Sequence, residues 1–158
     1  MRHAILLALL TLGAASPPTA VQALECRLPY TQAVAALDRL HAQSRTVWPS
    51  EHSYVTTCKY RTANLTAFGL PVASFDTREL NAISHESLFL TTVVNAPYPA
   101  VRAAALVSRG KQACGESEGP PGYCRIEESE QDGWSTSFIL EDKDGRPTLS
   151  CTYTRSHD

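Results

Sequence analysis

Several motifs that would assign a function are missing from this chain of 158 residues. Its five cysteines contain no Cys-x-x-Cys spacing, the usual pattern of a structural zinc site. No glycine-rich nucleotide loop is present. The segment Asp142-Lys143-Asp144-Gly145 lacks the third acidic ligand and the distal Glu of a calcium-binding loop. These absences predict a protein that carries no metal or other cofactor.

A second long apolar run is also missing, and the single one lies at the N-terminus. Arg2 and His3 precede the apolar residues 4–12, and the small-residue sequence Val21-Gln22-Ala23 follows a proline pair. This order is typical of a secretory signal peptide. The run is too short for a membrane anchor, which needs about 20 apolar residues. We therefore predict a signal peptide over 1–23 and a periplasmic or secreted mature chain that does not span the membrane.

All five cysteines lie in the predicted mature chain. In an exported protein they predict disulfides, and their odd number leaves one cysteine unpaired or bonded to another chain. Cys114 and Cys124 flank a short loop rich in Gly and Pro, so they are the first predicted pair. Cys26 with Cys58 is the second predicted pair, although the sequence alone leaves the connectivity open.

Charge is distributed unevenly along the chain. Residues 24–115 hold nine basic and six acidic side chains, a net charge of +3, whereas residues 116–158 hold four basic and ten acidic ones, a net charge of −6. An acidic half argues against a nucleic-acid-binding role. It is suited to a basic protein partner, the alternative being an ordinary solvated acidic face.

The periodicity of apolar residues predicts two helices and six strands. Tyr30, Ala33, Val34 and Leu37 share one helical face. The Asp132-Gly133 and Asp144-Gly145 dipeptides are typical of β-hairpin turns. The predicted helices cover 30–43 and 97–110, and the predicted strands cover 54–61, 65–75, 88–94, 123–130, 134–141 and 148–154.

This order of elements predicts a single α+β domain over 24–158. We expect an antiparallel sheet of about six strands, with two helices on one face and the other face open. Both helices open with Pro-Tyr, which suggests a tandem α-β-β-β repeat over 29–95 and 97–155. In its order of elements the chain resembles the secreted β-lactamase inhibitor proteins, although no residue motif carries that resemblance and no site residue follows from it.

Candidate catalytic residues are weak in this sequence. Ser84, His85 and Glu86 are neighbours along the chain, whereas a catalytic triad brings together residues that converge in space. The carboxylates of Glu127 and Glu128 lie next to a predicted hairpin, where solvated acids are ordinary. We therefore predict no catalytic residues.

The function predicted from the sequence is that of a non-enzymatic, exported protein-binding domain. We expect a periplasmic inhibitor or immunity protein that acts on a basic hydrolase or toxin. Two alternatives remain: a carrier of a small ligand or lipid, with a pocket between sheet and helices, and a periplasmic hydrolase in which His85 meets Glu127 or Asp142. The candidate partner-binding residues are Glu127, Glu128, Glu130, Asp132 and Trp134.

Overall fold

The computed structural model of the chain describes residues 19–109, 123–129 and 132–157. Within these residues the chain forms three short helices and eight strands. Their bounds are α1 Ala20–Leu24, α2 Tyr30–Leu37, β1 Ala42–Pro49, β2 Ser53–Tyr60, β3 Thr66–Ala67, β4 Leu70–Ala82, β5 His85–Val94, α3 Tyr98–Arg109, β6 Tyr123–Ser129, β7 Ser135–Lys143 and β8 Arg146–Ser156.

The strands form one antiparallel sheet in the spatial order β1-β2-β4-β5-β8-β7-β6, and the two-residue strand β3 pairs with β4. The buried faces of α2 and α3 belong to the same core as the inward face of the sheet. The α+β class, the antiparallel sheet and the placement of the helices on one face are therefore confirmed.

Alternation along the strands separates a buried face of the sheet from an open one. On β8, where apolar and polar residues alternate, the side chains of Leu149, Cys151 and Tyr153 are buried. Phe138 of β7 and Leu90 of β5 lie in register with Cys151 and continue that buried face. Partners in register point to the same side of a sheet, so the apolar row runs across the central strands beneath the helices.

The N-terminal segment is fastened to the sheet by its own contacts. Thr19 caps α1: its hydroxyl accepts a hydrogen bond from the Gln22 N–H at 3.3 Å, and its own N–H donates to the Gln22 side chain. Leu24, at the end of α1, is almost fully buried. Farther along, the Tyr153 hydroxyl donates a hydrogen bond to the Leu28 carbonyl at 2.8 Å.

One disulfide joins this segment to the centre of the sheet, and it corrects a predicted pairing. Cys26 is bonded to Cys151 of β8, with their Cα atoms 5.5 Å apart, so the predicted bond between Cys26 and Cys58 is wrong. Cys58 lies on β2, three strands away from Cys151, which is roughly 14 Å at the usual strand spacing. Because the Cα atom of Cys26 is within 5.5 Å of that of Cys151, it lies more than about 7 Å from the Cα atom of Cys58, which is too far for a disulfide. Cys114 lies outside the described residues, and its bond to Cys124 stays a prediction.

The first half of the chain differs from the sequence prediction in several elements. Helix α1 was not predicted, and the strand predicted over 65–75 is instead divided into β3 and a longer β4 that ends at Ala82. Helix α2 ends at Leu37 instead of 43, and residues 42–49 form the edge strand β1, which was not predicted. All eight residues of β1 are exposed. A strand without a buried face has no alternation of apolar and polar residues, so its sequence carries no strand signal.

The two predicted repeat units lie on opposite sides of the middle of the sheet, although the first contains β1 and β3 in addition to the three strands expected. β2, β4 and β5 lie on one side, and β8, β7 and β6 follow in reverse order on the other. The duplication over 29–95 and 97–155 stays a prediction.

Candidate functional site

The predicted acidic site lies at the far edge of the sheet. Glu127 and Glu128 are in β6, in register with Ser137 and Thr136 of β7. Asp132, in the turn between β6 and β7, is exposed. Glu130 lies outside the described residues. The binding role of these carboxylates stays a prediction.

Trp134 belongs to the core, although it was a candidate for partner binding. Its side chain is only 4% exposed. Its ring stacks on that of Tyr30 with ring centroids 3.5 Å apart, and Tyr30 also makes an edge-on contact with Tyr153. A partner would reach this indole only if the domain opened. Trp134 is therefore not part of an accessible docking surface.

The structure separates the residues that a hydrolase would bring together. His85 begins β5, and its neighbour Ser84 lies 3.1 Å from its Nδ1 atom. β6, which carries Glu127, is three strands away, roughly 14 Å. Asp142 is at the opposite end of β8 from the partner of His85, about 30 Å along the strand. The Glu86 carboxylate pairs with His157 at 3.5 Å instead of with His85.

A further serine motif is present in the sequence. Residues 115–119 read Gly-Glu-Ser-Glu-Gly, which matches the Gly-x-Ser-x-Gly spacing of hydrolase nucleophile elbows. Such an elbow joins a strand to a following helix. Here the segment follows helix α3 and precedes strand β6, the reverse order. The segment itself lies outside the described residues, and its context gives the motif no support.

Exposed apolar side chains cluster at one corner of the sheet. Of the five large apolar side chains that are exposed among the described residues, four lie where β1, β2 and the turn after β4 meet. We call this corner the edge patch, and its members are Val47, Trp48, Tyr54 and Ile83. The fifth, Val107, is on helix α3.

The register of the strands brings the edge patch together. Trp48 is in register with Val55, and Tyr54 is in register with Pro49 and Asn81. Ile83 directly follows the last residue of β4. Because Val47 and Trp48 are neighbours on β1, their side chains point to opposite faces, and the patch wraps around the edge of the sheet. The Trp48 side chain is 65% exposed.

A second feature is a cleft of about 290 Å³ between α2 and the first strands of the sheet, which we call the α2 cleft. One wall is a single face of α2, and the floor is built by alternate residues of β2 and β4. Its lining residues are Tyr30, Val34, Leu37, Asp38, Arg45, Thr56, Cys58, Tyr60, Thr77, Glu79 and Leu88. Cys58 is a free cysteine, and it lies half-buried here.

Burial and nearby carboxylates keep the two tyrosines of the cleft protonated. Burial raises the pKa of the Tyr30 phenol, and the charges of Glu79 and Glu86 raise it further. Burial also raises the pKa of Tyr60, although a hydrogen bond to Thr77 opposes the shift. The oxygens of Tyr60 and Thr77 are 3.4 Å apart. Both phenols are therefore neutral hydrogen-bonding groups at ordinary pH.

The alternation of β2 predicted that Cys58 and Tyr60 share a face, but no sequence signal pointed to the cleft. Its walls come from α2, β1, β2, β4 and β5, and β1 itself was missed. In the part of the chain that the structure describes, no three His, Cys, Asp or Glu side chains group as metal ligands would.

The chain matches no protein-family model, and neither the curated proteins nor the solved structures gave a match. None of the described helices is long and apolar enough to cross a membrane. The Cys26–Cys151 disulfide fits an exported protein, because such bonds persist in oxidising compartments.

Proposed function

We propose that this chain is an exported, non-enzymatic domain that binds another protein, as an inhibitor or immunity protein acting on a basic hydrolase or toxin. The observation that carries the proposal is the edge patch. In the part of the chain that the structure describes, four of the five exposed large apolar side chains gather at one corner. Exposed apolar clusters of this kind mark interaction sites.

The composition of the edge patch supports a protein partner. Tryptophan and tyrosine are enriched among the residues that dominate binding energy in protein interfaces. Both occur here with high exposure, Trp48 at 65% and Tyr54 at 49%. The patch also borders β1, whose outer edge has no neighbouring strand within the described residues. Such an edge offers backbone hydrogen-bonding groups to another chain.

The charge of the molecule favours a basic partner. The turn between β6 and β7 lies at the same end of the sheet as the edge patch, because Ser135 pairs with Thr154, two residues before the partner of His85. Asp132 is exposed in that turn. The two features lie at opposite edges of this end, with Trp48 on β1 five to six strands, roughly 24–29 Å, from the acidic turn. A partner would meet both only through an interface that spans this width. Opposite charges mainly accelerate such an association.

The test begins with a pull-down of the mature protein from periplasmic extract, followed by measurement of the affinity of the purified pair. We expect Trp48→Ala to weaken binding at least about tenfold, equivalent to about 1.4 kcal/mol. Folding stability should change little, because the side chain is mostly exposed. The matched control is Val107→Ala, which truncates an exposed apolar side chain outside the patch. This variant should bind the partner with unchanged affinity.

A second measurement tests the charge of the interface. Asp132→Asn should slow association with the basic partner and weaken the salt dependence of that rate, since exposed charges act within a Debye length of about 8 Å. If Trp48→Ala and Val107→Ala bind equally well, or if no protein is recovered above background, the proposal is rejected. Inhibition of the partner's own activity by the purified chain would establish the inhibitory role.

A further inference from the structure

The α2 cleft carries charges of both signs that the fold leaves unpaired. Arg45 lies on β1, Asp38 follows α2, and Glu79 is half-buried on β4. Within the described residues, none of these three side chains makes an ion pair with another or with any other group. Side chains of opposite charge that face one cleft without neutralising each other are available to a ligand.

The register of the sheet gives the spacing of the charges. Arg45 is in register with Cys58, and Glu79 is in register with Thr56, so their side chains point to the same face. They are two strands and two residues apart, which places their Cα atoms roughly 12 Å from each other. A ligand that satisfies both must therefore carry its own two charges on separate atoms several ångströms apart.

The remaining lining supplies an apolar surface beside these charges. Val34 and Leu37 of α2 and Leu88 of β5 line the cleft. Thr56, Thr77 and the neutral phenol of Tyr60 provide hydrogen-bonding oxygens near the floor. A concave lining that combines apolar side chains with convergent polar and charged groups suits a small polar molecule.

We propose that the α2 cleft binds a short zwitterionic peptide of about two residues with an apolar side chain. Its terminal ammonium is held by Glu79, its carboxylate by Arg45, and its side chain by Val34, Leu37 and Leu88. Two extended residues separate the terminal charges by about 7 Å. A free amino acid carries both charges on one carbon and is too short to reach both ends. This site is independent of the edge patch.

The experiment uses the mature protein and the dipeptide Ala-Leu as probe. Affinity is measured by titration calorimetry. In parallel, protection of Cys58 from iodoacetamide is read from the mass of its peptide, which reports occupancy inside the cleft itself. We expect Ala-Leu to bind and to slow the alkylation of Cys58.

Matched ligands and variants test the charge assignment. N-acetyl-Ala-Leu, Ala-Leu-amide and free leucine should each bind at least about tenfold more weakly than Ala-Leu. Glu79→Gln and Arg45→Gln should lower the affinity for Ala-Leu to a similar degree, whereas the exposed control Glu51→Gln should leave it unchanged.

The proposal is overturned if Ala-Leu does not bind at millimolar concentration, or if the blocked dipeptides or free leucine bind as tightly. It is equally overturned if Cys58 stays unprotected at saturation. The ligand series uses the unaltered protein, so this test stands even if a substitution at the half-buried Glu79 disturbs folding.

Discussion

At the scale of single residues, Asp76 on the open face of the sheet makes the free energy of unfolding depend on pH. It lies on β4, in register with Lys59 of β2 and Thr91 of β5, and it is partly buried. Burial raises the pKa of Asp76 above the ordinary value near 3.8, and the positive charge of Lys59 opposes that shift. The folded chain therefore holds the proton of Asp76 more tightly than the unfolded chain does.

The expected consequence is a loss of stability as the pH rises from about 3.8 through the raised pKa of Asp76. In this window the folded state binds more protons than the unfolded state, so the free energy of unfolding falls with pH. Asp76→Asn removes this loss and should be more stable than the parent near neutral pH, with the difference vanishing below about pH 3. Urea unfolding across this range measures it, with Glu51→Gln as the exposed control. A less stable Asn variant at neutral pH would show that the attraction of Lys59 outweighs burial.

At the scale of elements, Glu25 fixes the segment after α1 to the hairpin of β3 and β4. It is only 4% exposed. One oxygen accepts a hydrogen bond from the Phe68 N–H at 2.6 Å, and the other pairs with Arg27 at 3.1 Å. Phe68 holds a left-handed conformation, with φ of 52°, that costs a non-glycine residue energy. The Glu25 carboxylate is one of the contacts that hold this turn.

We expect Glu25→Ala to destabilise the domain by about 1.5–3 kcal/mol, because it leaves the Phe68 N–H without its charged acceptor. Chemical unfolding gives the value. Glu51→Ala, which removes an exposed carboxylate, should stay within about 0.5 kcal/mol of the parent. Equal effects of the two substitutions would exclude this role for Glu25.

Strands β7 and β8, which the sequence predicted, contact the core on one face only. Strands β7 and β8 alternate apolar and polar residues, and both residues of the Asp144-Gly145 turn adopt positive φ, as a tight hairpin requires. β1 has no buried face, and four of the five residues of α1 lie within the predicted leader, so neither element was predicted from the sequence. The cysteine pairing, the edge patch and the α2 cleft depend on contacts between segments that are distant in the sequence. The local periodicity of apolar residues does not predict such contacts.

At the scale of the whole molecule, the Cys26–Cys151 bond links residues 125 positions apart. A cross-link that closes so long a loop restricts the unfolded chain strongly. Cys26→Ser or Cys151→Ser should therefore lower the free energy of unfolding by about 2–5 kcal/mol.

Cys58→Ser is the matched control for this loss, because it replaces the free thiol and leaves the bond intact. Urea unfolding of the three variants, with and without reductant, measures the difference. Reductant should destabilise the parent and the Cys58 variant alike. An unchanged stability for Cys151→Ser would show that the bond does not support the native fold.

The position of β8 in the middle of the sheet, beside β5, has a consequence for how the chain matures. In a chain that emerges from its N-terminus, Cys26 arrives first and Cys58 next, whereas Cys151 arrives last, on the strand that completes the centre. Oxidation in order of appearance would join Cys26 to Cys58, the non-native pair. Thiol–disulfide exchange must then move the bond to Cys151. We therefore expect disulfide isomerase activity to speed formation of the native Cys26–Cys151 bond when the reduced chain is oxidised, which refolding with and without an isomerase measures.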